Sequence, residues 1–213
     1  MTKFLLSLML LVPGLTWSAG VLARQEDPEI LKGTNLSQTV PSYGAGDWSP
    51  DGTKLWMRII EADALKIQLY KVSDAGLTPL GTAILGHTLG WSPNDSKVWV
   101  HVDMGVGVNK IQLYNVSNTS LTPLGTAVPG WYAIWSPDGS KLWALDFVGM
   151  DSFLQLYNIS DAGPMSVGSP ILGEVAKWSP DGTKLFIRDY TETTIYFYPK
   201  LIESAKNSTG LKK

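Results

Sequence analysis

No cysteine occurs in this 213-residue chain, which removes disulfides, thiol nucleophiles and thiolate metal sites at once. Histidine is nearly as scarce. His87 and His101 are the only two, too few for a histidine metal site of the usual kind. Neither sign of charge dominates: 17 Lys and Arg stand against 19 Asp and Glu, a formal net charge of −2. That balance lacks the basic excess that DNA, RNA or an anionic membrane surface demands. A Gly-x-Ser-x-Gly nucleophile elbow is missing, as is room for a separate hydrolase domain. The glycines of Met104-Gly105-Val106-Gly107 precede no helix and so offer no phosphate cradle. No cofactor and no metal is expected.

What is present begins with a targeting pattern. Lys3 precedes an apolar stretch, Phe4 to Leu15, interrupted only by Ser7, Pro13 and Gly14, and Val21-Leu22-Ala23 is an acceptable cleavage site. The apolar run is too short for a good membrane span. Residues 1–23 therefore read as a signal peptide and 24–30 as a linker, with an uncleaved anchor as the alternative. Export to a periplasm or exterior is expected, with no stable membrane span after cleavage. Without disulfides, stability there must come from core packing. Six Asn-x-Ser/Thr sequons begin at Asn35, Asn94, Asn115, Asn118, Asn158 and Asn207. They read as turn chemistry rather than sugar attachment, because Asn and Ser favour tight turns in their own right.

Four near-copies of one nonapeptide dominate the rest: WSPDGTKLW from Trp48, WSPNDSKVW from Trp91, WSPDGSKLW from Trp135 and WSPDGTKLF from Trp178. A period near 43 residues marks a β-propeller with one four-stranded blade per repeat. Strand A ends at the motif tryptophan, and Ser-Pro-Asp-Gly turns the chain into strand B. Strand B is expected at Lys54 to Ile60, Lys97 to Asp103, Lys141 to Phe147 and Lys184 to Tyr190. Strand C follows at Ile67 to Tyr70, Ile111 to Tyr114, Leu154 to Tyr157 and Ile195 to Tyr198, rich in β-branched and aromatic residues. Outer strand D appears as Leu77 to Thr82 and Leu121 to Thr126, where proline suits an edge. The Asn94-Asp95 pair replaces Asp-Gly in the second turn and tolerates the same left-handed geometry. The fourth repeat lacks a D strand before the polar tail 201–213. Leu31 to Val40 occupies a D-strand slot, so the N-terminal segment is expected to close the last blade. The fold expected over 31–200 is thus an all-β propeller of four four-stranded blades.

The string Trp-Ser-Pro-Asp-Gly-Thr-Lys-Leu plus an aromatic resembles the TolB-type, WD-repeat-like propeller repeat, and the resemblance covers about residues 31–200. It implies the propeller fold, which hosts both ligand binding and catalysis. Rings of that type usually hold more blades. A complete ring, a truncated relative and half of a two-chain ring are all compatible with four repeats.

Candidate site residues come from aligning strand B. Ten residues after each motif tryptophan lie Arg58, His101, Leu145 and Arg188, and twelve after lie Ile60, Asp103, Phe147 and Tyr190. With period two they share a strand face near the end opposite the SPDG turn. Arg58, His101, Asp103, Asp146, Arg188 and Tyr190, with Trp131 in the loop before strand A, are the candidate ligand-binding rim. The competing reading is that the same charges bridge neighbouring blades. Trp48, Trp56, Trp91, Trp99, Trp135, Trp143 and Trp178 recur in fixed slots and are expected to pack between blades. Trp131 breaks the repeat and is the better candidate for a binding aromatic. Asp51, Asp138 and Asp181, each followed by Gly, are expected to hold turns rather than calcium.

Function is read as an exported, non-catalytic module that binds a protein or cell-envelope ligand, as a monomer or homodimer. Two alternatives stand beside it. One is a small propeller hydrolase or lyase using the Arg58, His101, Asp103, Arg188 cluster, and the other is a truncated propeller that functions as an oligomer.

Overall fold

The computed structural model describes residues 40, 42–105, 107–188 and 193–197. The expected signal peptide, linker, polar tail and Tyr190 lie outside them, as does the expected closing strand Leu31–Val40 apart from Val40, which is not in a strand. The described residues form four antiparallel sheets in chain order. The first holds β1 (Gly46–Trp48), β2 (Lys54–Glu61), β3 (Ala64–Ser73) and β4 (Gly76–Leu85). The second holds β5 (Thr88–Trp91), β6 (Lys97–Asp103), β7 (Asn109–Val116) and β8 (Leu121–Pro129). The third holds β9 (Tyr132–Trp135), β10 (Lys141–Val148), β11 (Asp151–Ser160) and β12 (Gly163–Leu172). The last contains β13 (Val175–Trp178), β14 (Lys184–Arg188) and β15 (Thr193–Phe197). This is a β-propeller of four blades, and each blade is a meander whose successive strands pair with their neighbours.

The SPDG turn works through its serine and its acid. In the first blade the Ser49 backbone N–H donates to the Lys54 carbonyl at 2.9 Å, and the Ser49 hydroxyl accepts the Lys54 N–H at 2.9 Å. That hydroxyl donates in turn to the Asp51 carboxylate at 2.6 Å, and the carboxylate accepts the Thr53 N–H at 2.9 Å. Asn94 keeps the pattern in the second blade: Ser92 donates to its side-chain oxygen at 2.9 Å, and Asp95 takes the left-handed conformation at φ 57°. The expectation for that divergent turn holds. Hydrogen bonds from Ser136 and Ser140 hold the Asp138 carboxyl down at about 2, against 3.8 for an ordinary aspartate. Bonds from Ser179 and Thr183 hold Asp181 at about 2.

A depressed carboxylate contributes stability that is complete above the unfolded value and is lost as pH falls through the folded one. These turns should therefore weaken as pH falls from 3.8 towards about 2. Asp138→Asn, which installs the second blade's non-titrating residue, is expected to flatten the acid limb of thermal stability. Melting curves of the two proteins at closely spaced acid pH values check this, and parallel limbs would contradict it.

Blade faces alternate with period two along strand B. Trp99 of β6 packs with Trp135, Leu142 and Ala144 of the next blade, while Val98 and Val100 turn the other way and pack with Trp56 and Leu69 of the preceding one. The third junction repeats this, with Trp143 against Trp178, Leu185 and Ile187. Among the described residues, the three core clusters thus lie at the three junctions between consecutive blades. Polar contacts also cross the junctions. The Trp135 indole N–H donates to the Gly90 carbonyl at 3.2 Å. Most motif tryptophans pack as expected, but Trp48 does not: it is 52% exposed. Its face is the one that later blades turn towards a preceding blade, and among the described residues no blade precedes the first.

Candidate functional site at the rim opposite the SPDG turns

Each loop before a strand A is laid flat on its own blade by one backbone bond. The N–H groups of Tyr43, His87, Trp131 and Glu174 donate to the carbonyls of Arg58, His101, Leu145 and Arg188 at 2.6, 3.0, 2.7 and 2.8 Å. The buried glycines Gly86, Gly130 and Gly173 precede three of these loop residues. A Cβ on Gly86 would lie 2.5 Å from the Val100 side chain, and one on Gly173 would lie 2.7 Å from Ile187. Glycine in this slot lets the loop touch the core while presenting the next side chain to the rim.

The strand-B side chains then reach across to the next blade's loop residue. Arg58 donates to the His87 carbonyl at 3.4 Å and, from Nε, to the Tyr43 carbonyl of its own blade at 2.9 Å. His101 is buried, with its Nε2 2.8 Å from the Asn109 side-chain oxygen. Its ring lies 4.8 Å from Trp131 and 5.5 Å from His87, tilted by 40° and 42°. Tyr132 meets Trp99 edge to face at 5.1 Å. The product is a run of rings, His87, His101 and Trp131, resting on the core and ending in a tryptophan that is 51% exposed.

The sequence-predicted rim is brought together only in part. Arg58, His101 and Trp131 share it. Arg58, however, has its guanidinium committed to two backbone carbonyls, which is a bridging role. Asp103 is exposed beside the rim and accepts the Gly105 N–H at 2.8 Å, holding its own hairpin. Asp146 belongs elsewhere, because it lies one residue off the His101 register and points to the opposite face of its strand. It lines a groove of 460 Å³ with Pro129, Val148, Phe153, Tyr157 and Pro170. Burial, and then the nearby Asp146 carboxylate, push the Tyr157 hydroxyl upward. A groove of 600 Å³ occupies the equivalent place one blade earlier, around Val102, Lys110 and Tyr114. Its recurrence marks it as a gap between diverging outer strands, and neither groove touches His101 or Trp131. Arg188 pairs with Glu174 at 2.7 Å on its own blade, an exposed ion pair worth ~1 kcal/mol at most.

Sequence reasoning passed over His87 and Tyr43. For His87 a signal existed: Gly86-His87 occupies the slot of Gly130-Trp131. Among the described residues no group of three or more His, Asp or Glu could hold a metal ion, and no helix is long and apolar enough to cross a membrane.

No family model and no curated protein matches this sequence. Solved structures do. A protein from Bacteroides uniformis provisionally assigned as a 6-phosphogluconolactonase matches with a TM-score of 0.54 and 16% identity over 71% of this chain and 49% of its own. A Bacteroides fragilis protein with the same provisional assignment matches with a TM-score of 0.52, 16% identity, and coverage of 72% and 49%. TolB from Acinetobacter baumannii matches at 18% identity and a TM-score of 0.48, with coverage of 72% and 40%. The likeness is one of fold, and this chain spans about half the length or less of the structures it matches. It also corrects one expectation. The chain was expected not to be an enzyme, yet proteins of this fold include ones provisionally given a catalytic name. The absent Gly-x-Ser-x-Gly elbow excludes only a hydrolase domain of that type.

Proposed function

We propose that this chain is exported and holds a protein or cell-envelope ligand on the rim opposite the SPDG turns, with Trp131 as the principal contact. The observation that carries this is the His87–His101–Trp131 ring stack, which breaks the repeat and fixes a half-exposed indole on a rigid base. Tyr132 and Tyr43, 45% and 59% exposed, flank the same rim. Large aromatics seated on a rigid frame bind at low entropic cost, and their truncation typically costs 2 kcal/mol or more, about 30-fold in affinity. The test is direct. Solubilised envelope protein and purified peptidoglycan are immobilised separately, and the intact chain and Trp131→Ala are passed over each. Retention of the wild type on one surface and at least tenfold weaker retention of the variant are expected; equal retention would sink the reading.

The second reading is hydrolysis of a small polar substrate at the same rim, favoured by the catalytic names of two fold neighbours. His101 would then act in the reaction, its orientation fixed by Asn109. Assay against 6-phosphogluconolactone decides it: turnover lost by orders of magnitude in His101→Ala supports hydrolysis, and no turnover by the wild type ends it.

A further inference from the structure

Each internal junction of this propeller is built in one way. The aromatic eight residues after a motif tryptophan faces the following blade: Trp56, Trp99 and Trp143 are 4%, 2% and 2% exposed. Opposite them on strand C sit Leu69, Leu113 and Leu156, at 1%, 0% and 2%. In the last blade the same two slots hold Phe186 and its pairing partner Ile195, and these are 37% and 61% exposed. The opposite end shows the complementary half. Trp135 and Trp178, each turned to a preceding blade, are 8% exposed, whereas Trp48 is 52% exposed. The described blades therefore leave one apolar face at each end, and the two faces are the two halves of one kind of junction.

We propose that a second copy of this chain covers them, the last blade of each copy docking on the first blade of the other to close an eight-blade ring about a two-fold axis. The open slots keep the register of the three built junctions, so what fits against Phe186 and Ile195 is a first-blade face carrying a motif tryptophan. This chain presents such a face at its other end. The rim offers the same slot: Arg58 reaches the His87 carbonyl of the next blade, and Arg188, which pairs with Glu174 of its own blade, holds the Arg58 position beside which Tyr43 of the second copy, the counterpart of His87, would stand. Two larger proteins of this fold, from Bacteroides uniformis and Bacteroides fragilis, are overlaid over 49% of their own length by 71% and 72% of this chain, so the fold also occurs with more blades than are described in this one.

A head-to-tail ring makes an unusual mixing prediction. Light scattering should give twice the chain mass for the wild type and the single-chain mass for Trp48→Glu and for Phe186→Glu. Both positions are exposed, and circular dichroism melts of each variant confirm that it remains folded. Mixing the two variants should restore association, because a wild-type Phe186 face then meets a wild-type Trp48 face at one junction. A wild type of single-chain mass overturns the proposal, whether further chain or nothing covers the faces. So does association that survives both substitutions, or a mixture that stays at single-chain mass. Trp131→Ala leaves the mass unchanged, so the outcome is independent of ligand binding at the rim.

Discussion

Trp143→Ala is expected to destabilise the chain by about 3–5 kcal/mol, the range for removing a buried aromatic from a core that cannot fully collapse. Trp143 is 2% exposed and packs with Leu154, Leu156, Trp178 and Leu185 at the junction of the third and fourth blades. Its loss leaves a cavity between two sheets whose separation is set by the rest of both faces. Denaturant unfolding followed by circular dichroism reads the change. The comparison that gives the number meaning is Trp131→Ala, a tryptophan of the same size that is 51% exposed, expected to cost less than ~1 kcal/mol. Similar losses for the two would mean that the division between frame and rim is wrong.

Gly125→Val is expected to be comparably damaging, roughly 2–5 kcal/mol, through a different mechanism. Gly125 lies on strand β8 at φ +63°, a conformation that costs a residue with a side chain roughly 1–2 kcal/mol. A Cβ there would also lie 2.8 Å from the Cα of Gly163 and 2.9 Å from the Pro164 ring, on the next blade. Backbone meets backbone at this point, so nothing flexible can give way, and forcing the sheets apart adds roughly another 1–3 kcal/mol. Thermal melting checks the effect, and a melting temperature within error of the wild type would show that the second and third blades do not approach so closely.

The propeller was legible because its repeat carries its own physics. Serine, proline, acid and glycine at fixed places specify the turn, and two aromatics eight residues apart fall on opposite sides of that turn and on opposite faces of the blade. Period two along strand B then put His101 on the face of Trp99 and led to Trp131. The same alternation argues against Asp146, which the sequence reading places in the rim although its neighbour Leu145 holds that register. What a repeat cannot express is which copies lack a neighbour. The Trp48 slot holds the same residue as the buried Trp135 and Trp178, and the Phe186 slot holds an aromatic as the buried Trp56, Trp99 and Trp143 do, so only the order of the blades in space exposes them. Hydrogen bonding was equally hidden: nothing in the sequence says that the Arg58 guanidinium ends on two main-chain carbonyls rather than facing a ligand.

Trp56, Trp99 and Trp143 are buried frame, and the proposal set against them is that the repeat-breaking Trp131 is contact surface. Site-resolved tryptophan oxidation of the intact chain, alone and with the envelope material that retains it, tests that claim most directly. Slow oxidation of Trp56, Trp99 and Trp143 is expected under both conditions, with rapid oxidation of Trp131 in the free chain that slows when the ligand is bound. A Trp131 as resistant as Trp99 in the free chain, or one whose oxidation is unchanged by bound material, would contradict it.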